Sequence, residues 1–354
     1  MRIAIITLPF HTNYGGIIQA FALQTILNRL GHKAYVLSIQ DWRSHDYSFV
    51  EYNYLRLKIS VAKVLSGECF QRFKINKFIA KRLCQKFYFE FRNIKEKDFD
   101  AFVVGSDQIW RESFIPNVSN VFLDFAKDWD VKRISYAASF GNDEWCYNAI
   151  QTKACKDLIQ LFDGISVREV SAVTLCRTFL GADAIHVLDP TLLLTKDDYI
   201  HLFKLKDKST KSQMLVYILD ETDSINEMVL RVSAEMRLKP FFIYPSRRNK
   251  RILPSIKEWL ELIYTSDFVI TDSFHVSVFS IIFNKPFSVF KNSVSGNTRL
   301  ESLLGLLSLE KHMLSEDVQI EEAVACCKSM KKPNSEQIIQ GLREKSMSFL
   351  SNNL

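Results

Sequence analysis

Cysteine pairs, glycine fingerprints and long apolar runs are all missing from this chain. Its seven cysteines (Cys69, Cys84, Cys146, Cys155, Cys176, Cys326 and Cys327) are odd in number and scattered, with no Cys-x-x-Cys spacing. That pattern gives no support to a zinc or iron–sulfur site and reads as free, mostly buried thiols. There is neither a Gly-x-Gly-x-x-Gly nor a phosphate-loop lysine motif, so nicotinamide binding and ATP hydrolysis gain no support. No segment holds about 18 uninterrupted apolar residues, and no membrane span is expected. The opening MRIAIITLPF has one basic residue and a short apolar run, without the longer apolar region and cleavage site of a secretion signal. A cytoplasmic location is expected. The net charge of +6 is too modest to argue for nucleic acid.

What is present is a soluble globular pattern. The chain of 354 residues is 47% hydrophobic and 24% charged, long enough for two domains. Short β-rich runs recur at Arg2–Thr7, Ala34–Ile39, Ala101–Val104, Arg133–Ala137, Gly164–Val167 and His186–Leu188. After a polar stretch around Lys204–Ser212 they resume at Met214–Leu219, Pro240–Tyr244, Phe268–Ile270 and Pro286–Phe290. Apolar strands alternating with helices predict parallel sheets covered on both faces. The reading is α/β, with two Rossmann-like domains facing across a cleft. Residues 1–190 form the first domain and 191–330 the second. The segment 331–354 is an amphipathic helix expected to pack back toward the first domain.

In such sheets ligands gather beyond the carboxyl ends of the strands. Six strand ends here carry glycine or polar residues: NYGG (Asn13, Tyr14, Gly15), GSDQIW (Asp107, Gln108, Trp110), SYAASFG, SVRE (Arg168, Glu169), LDP (Asp189) and TDSFH (Ser273, His275). Bland roles exist for several of them. Asp107 and Ser273 are each placed to cap a following helix. Arg168 with Glu169 reads equally as a surface ion pair. An arginine at a cleft-facing strand end can instead fork onto a carboxylate or phosphate. His275 falls in the first turn of a helix, whose partial positive charge and free N–H groups suit an anion. A bound dianion there favours the protonated imidazole.

An insertion at residues 44–99 differs in character. Between Glu51 and Lys97 it holds twelve Lys or Arg against four acidic residues, interleaved with Phe70, Phe73, Phe78, Phe87, Tyr88, Phe89 and Phe91. One reading has the aromatics cover the sheet while the lysines face water. The other is peripheral contact with an anionic membrane through residues 51–97.

Taken in order, NYGGIIQAFALQ, DAFVVGSDQIW, ISYAASFG, ISVRE, VLDPTLLL, WLELIYTSDFVITDSFHVSVFSIIFNKPF and TRLESLLGLL resemble the polysaccharide pyruvyl transferase family. The resemblance implies a fold like the glycosyltransferase-B enzymes. It also implies transfer of pyruvate from phosphoenolpyruvate onto two hydroxyls of a lipid-linked or nascent surface saccharide, releasing phosphate, with no metal and no cofactor. On that basis Arg168, His275 and Ser273 would meet the donor, with Lys291 or Arg299 as a further cation. His275 is the expected acid or phosphate partner, and Asp107 the group that orients or deprotonates the acceptor. Asn13, Tyr14, Gly15, Gln108 and Trp110 would face the sugar. Val276-Ser277 stand where the family commonly has Gly-Thr, and only Lys311-His312 represent the basic residue usual near the end of the last matched stretch. Two other readings stay open at this level: a glycosyltransferase with a nucleotide-sugar donor, with Glu301 cast for the ribose, and a non-catalytic carbohydrate-binding subunit.

Overall fold

The computed structural model of the protein describes residues 1–10, 13–42, 72–206, 212–244, 253–291, 297–315 and 318–354. Residues 43–71, which include the first part of the insertion 44–99 and of its stretch 51–97, lie outside them. Two all-parallel sheets organise the chain. The first contains β1 (Arg2–Ile6), β2 (Lys33–Ile39), β3 (Gln85–Tyr88), β4 (Ala101–Gly105), β5 (Lys132–Ala138), β6 (Gly164–Val167) and β7 (Ile185–His186), in the order β3-β2-β1-β4-β5-β6-β7. The second contains β8 (Gln213–Tyr217), β9 (Lys239–Ile243), β10 (Phe268–Thr271), β11 (Phe287–Phe290) and β12 (Met313–Leu314), in the order β12-β11-β10-β8-β9. Each order reverses once, at β1/β4 and at β8/β10, and a crevice opens at each reversal.

β3 and β12 were not expected from the sequence. β3 has only four residues and lies at a sheet edge, and its side chains are half-buried or exposed. β12 has two residues. Neither produces the apolar run that marks a buried strand. Within the insertion the covering role is visible for Phe78, which packs against Phe21 and Phe203, and for Phe91, which packs against Trp42. Phe73 and Phe87 remain exposed, at 64% and 68%.

The lobes meet along the helix Tyr14–Arg29. Asn13 caps it by accepting from the Gly16 N–H at 3.1 Å. Nearly all its residues are buried, because one face lies on the first sheet and another meets the second lobe. Tyr14 stacks on Trp259 at 5.3 Å and donates its hydroxyl to the Pro254 carbonyl at 2.6 Å. Trp259 is held by the helix Ile256–Thr265, which Ser255 and Glu258 close with a reciprocal capping box. Its buried face, Ile256, Trp259, Leu260 and Ile263, follows the spacing of a helix stripe. The last helix, Glu336–Asn353, reaches the first lobe, where Ser346 Oγ accepts from the Leu188 N–H, and Arg343 donates to the Leu192 carbonyl just past that lobe's end. Among the described residues no helix is long and apolar enough to cross a membrane.

Candidate active site at the domain interface

The two reversal points face each other. Past β10, Thr271 donates its hydroxyl to the Tyr217 carbonyl at 2.7 Å and accepts from the Ser273 N–H at 3.0 Å. The Asp272 carboxylate accepts from the N–H groups of Leu219 and Asp220 at 2.8 and 2.9 Å, tying the ends of β8 and β10 together. Two members of the polar knot therefore build the turn. The helix that follows, Phe274–Ile282, is buried throughout and carries no side-chain cap, so the expected capping by Ser273 is not made. Val276 is fully buried in the shared core, so its departure from glycine puts no side chain into the cleft.

His275, at 5% exposure, crosses the interface and lies against Gly15. A β-carbon built on Gly15 would stand 1.9 Å from His275 Nδ1. Only glycine permits this approach. The imidazole Nε2 is 3.7 Å from Asp189 Oδ2, an ion-pair distance longer than a hydrogen bond. Asp189 also accepts from Arg168 Nη1 at 2.9 Å, from the Thr191 hydroxyl at 2.6 Å and from the Thr191 N–H at 2.9 Å. Arg168 reaches Asp107 with Nη2 at 3.3 Å. The result is a buried line, Asp107–Arg168–Asp189–His275, in which the first three come from the first lobe and the histidine from the second.

Phe274 and Arg299 complete it from the second lobe. The guanidinium carbons of Arg168 and Arg299 lie 4.9 and 5.5 Å from the centre of the Phe274 ring, a cation–π arrangement on both. Arg299 is 6% exposed, not the helix-surface arginine its sequence context allows. Burial, and then Arg168 beside it, lower its pKa to about 10 against the pull of Asp107 and Glu169. It stays cationic at neutral pH.

The carboxylates divide. Burial pushes Asp189 up, but His275, Arg168 and the Thr191 hydroxyl together outweigh it, holding this carboxyl well below the usual range. Burial likewise opposes Arg168, His275 and Arg299 at Asp107, and the cations prevail. At Glu169 burial wins over Arg168 and Arg299, and its carboxyl is raised. Glu169 accepts from the Phe140 and Gly141 N–H groups at 2.9 and 3.3 Å, fastening the small-residue end of β5. Arg168 and Glu169 are thus not a surface pair; they point to different partners in the interior.

Several expected site residues are placed elsewhere. Trp110 is fully buried, stacked on Phe122 at 5.0 Å, and cannot face a sugar. Tyr14, 1% exposed, is a wedge between the lobes. Gln108 is buried, accepting from Arg111 at 2.7 Å and packed on Gly141. Asp107 caps no helix: its φ is 68°, a left-handed turn that leads into irregular chain. Lys291, the spare donor cation, and Glu301, the acid cast for a ribose, pair with each other at 3.2 Å, their side chains 42% and 50% exposed. His312 is buried, with Nδ1 2.7 Å from the Phe287 carbonyl oxygen.

Beside Asp107 the structure opens a pocket of about 280 Å³ lined by Leu8, Pro9, Phe10, Asn13, Gly16, Asp107 and Phe114. Its polar end, Asn13 and Asp107, stands at strand ends legible in the sequence, whereas its apolar walls carry no motif of their own. Among the described residues no group of three or more His, Cys, Asp or Glu is placed to hold a metal ion.

The fold is that of the glycosyltransferase-B class. The chain is similar in structure to UDP-GlcNAc 2-epimerase from Neisseria meningitidis (TM-score 0.54, 9% identity, covering 100% of both chains). It is also similar to UDP-GlcNAc 2-epimerase from Methanocaldococcus jannaschii (TM-score 0.53, 11% identity, covering 98% of this chain and 99% of that one). At such identities the likeness speaks of fold alone. No curated protein matches the chain. The family model of polysaccharide pyruvyl transferases matches residues 13–294, a span that runs from the cap of the interface helix to beyond β11 and takes in Asp107, Arg168, Asp189 and His275. The chain belongs to the polysaccharide pyruvyl transferase family.

Proposed function

We propose that this protein moves the pyruvate skeleton of phosphoenolpyruvate onto two hydroxyls of a sugar in a surface polysaccharide such as a capsule or exopolysaccharide, forming a cyclic ketal and releasing phosphate. The observation that carries the reading is the meeting of His275, Arg168, Arg299 and Asp107 at one buried interdomain point, in a chain of this family. A donor with a carboxylate and a phosphate close together needs several cations or N–H donors once it leaves water.

The role of Arg168 differs from the sequence expectation. Both its terminal nitrogens are taken by Asp189 and Asp107, and its side chain is 2% exposed. Its part is to hold those carboxylates and lend its charge. The clamp on the incoming anion falls to Arg299, to His275, and to the N-terminus of the helix Phe274–Ile282, with the Ser273 hydroxyl beside it. A dianion placed there relieves the repulsion between two buried guanidiniums.

His275 then donates a proton to the methylene carbon or meets the departing phosphate. Protonation makes that carbon a methyl group and leaves an oxocarbenium-like centre next to it. One sugar hydroxyl attacks that centre, the carbon–oxygen bond to phosphate breaks, and the second hydroxyl closes the ring. Two hydroxyl protons are released; one balances the new methyl C–H and the other leaves with phosphate. Asp107, kept ionised by its neighbours, orients or deprotonates an acceptor hydroxyl. Holding both hydroxyls over one carbon is the largest single gain available to such an enzyme. The reading needs neither metal nor cofactor, and the acceptor is a lipid-linked or nascent saccharide. A cytoplasmic site, and peripheral contact with anionic lipid through residues 51–97, belong to the same proposal.

The test is direct. Incubated with phosphoenolpyruvate and a saccharide acceptor, the protein should release phosphate only when both are present. Turnover of a nucleotide sugar with phosphoenolpyruvate untouched overturns the reading.

A further inference from the structure

We propose that the pocket beside Asp107 is built for a single pyranose ring, which lays a C–H face on Phe114 and Phe10 and turns a pair of hydroxyls toward Asp107 and Asn13. The assignment rests on the pyruvyl-transfer reading and adds to it the walls that select the acceptor. At about 280 Å³ the pocket sits near the lower end of ligand sites, roughly 300–1,000 Å³. That is room for one ring of the acceptor, with any further sugars left outside it.

Its lining is divided as a sugar is divided. Leu8, Pro9, Phe10 and Phe114 form the walls, while Asn13 and Asp107 supply the polar end. Tyr14 and Trp110 are buried away from it, so the available aromatic faces are those of Phe10 and Phe114. Phe114 is 47% exposed, with the Arg111 guanidinium 4.6 Å from its ring centre, and it contributes little to the core. Asp107 joins this pocket to the donor side: Oδ1 takes Arg168 at 3.3 Å, and Oδ2 faces Asn13 Nδ2 at 3.4 Å.

Gly16 forms the floor between them. A β-carbon there would lie 3.1 Å from both Asn13 Nδ2 and Asp107 Oδ2, so these side chains would have to give by a few tenths of an ångström. Glycine inside a helix is less favourable than alanine. The helix Tyr14–Arg29 carries that cost where a methyl would close the space in front of the Asp107 carboxylate.

Two variants test the assignment, each chosen to leave the fold intact. Gly16→Ala favours the helix, and Phe114→Ala removes a side chain that is half in water. Saturation-transfer NMR with a panel of methyl pyranosides reads the pocket, and calorimetric titration with phosphoenolpyruvate reads the donor side. The wild type should give transfer to at least one pyranoside. Phe114→Ala should weaken it by roughly three- to tenfold, the value of a well-placed ring contact, and Gly16→Ala should weaken it by at least as much, with phosphoenolpyruvate affinity and melting temperature kept in both. No pyranoside signal in the wild type, or unchanged signal in both variants, overturns the assignment. Pyranoside binding that responds as stated, in a protein that never binds phosphoenolpyruvate, refutes the donor reading and leaves the pocket standing.

Discussion

Gly15→Ala puts a methyl group into the closest approach between the lobes. That methyl would lie 1.9, 2.3 and 2.7 Å from Nδ1, Cγ and Cε1 of His275, where ordinary contact begins at 3.4 Å. The imidazole would have to retreat by about 1.5 Å, the difference between 3.4 and 1.9 Å. It has little room to do so, since it is 5% exposed, with Phe274 edge-on at 5.1 Å and Asp189 at 3.7 Å. Either the ring leaves Asp189 or the lobes part. Alanine favours the helix by up to about 1 kcal/mol, while overpacking costs about 1–3 kcal/mol. The net change in stability should therefore stay within about 3 kcal/mol. Misplacing a reacting group by about 1 Å can cost on the order of a hundredfold in rate. The expected signature is a loss of phosphoenolpyruvate-dependent phosphate release by about a hundredfold or more with a small shift in unfolding midpoint. A variant within about threefold of wild type would show that the contact of His275 with Gly15 has no part in the reaction, and the reasoning would fail.

Further outcomes follow from the buried charges. Asp189→Asn removes one of two carboxylates from Arg168 and should destabilise by about 3–5 kcal/mol at neutral pH. The folded carboxyl is depressed, so its stability is present above the unfolded value of about 3.9 and is lost only as pH falls through the lower folded one. Urea unfolding from pH 5 to 8 should show a constant gap; a gap under about 1 kcal/mol contradicts the buried pair. Glu169 runs the other way. Its raised folded value gives stability that is full below about 4.3 and lost as pH rises through that folded value. Glu169→Gln should therefore gain on wild type between pH 4 and pH 8 in melting experiments, and a loss over that range counts against the assignment. Lys291→Ala breaks an exposed ion pair worth roughly 0–1 kcal/mol, and phosphoenolpyruvate affinity should not move. A large drop would return Lys291 to the donor site.

Much of this site was legible because parallel sheets deliver their strand ends to one place. Gly15, Asp107, Arg168 and His275 each stand just past an apolar run, and the fold brings them together. What the sequence could not decide is which way a side chain turns after its strand ends. Trp110 and Tyr14 look like sugar platforms in a list of residues, yet each finds an aromatic partner and is buried. Arg168 and Glu169, adjacent in the chain, turn to partners 21 and 29 residues away. Asp189 was legible as a polar strand end, but not as the carboxylate between Arg168 and His275, because those partners come from different lobes. The pocket walls were silent for a similar reason: Leu8, Pro9, Phe10 and Phe114 are ordinary apolar residues until β1 and β4 place them side by side.

Calorimetric titration of phosphoenolpyruvate into the wild-type protein and into Arg299→Gln tests the central claim most directly. The account predicts binding to the wild type at one site per chain, weakened by tenfold or more when the buried guanidinium is lost, as expected for a charge-assisted contact of roughly 1.5–3 kcal/mol. Absence of binding to a folded wild type, or equal affinity in the two proteins, would contradict it.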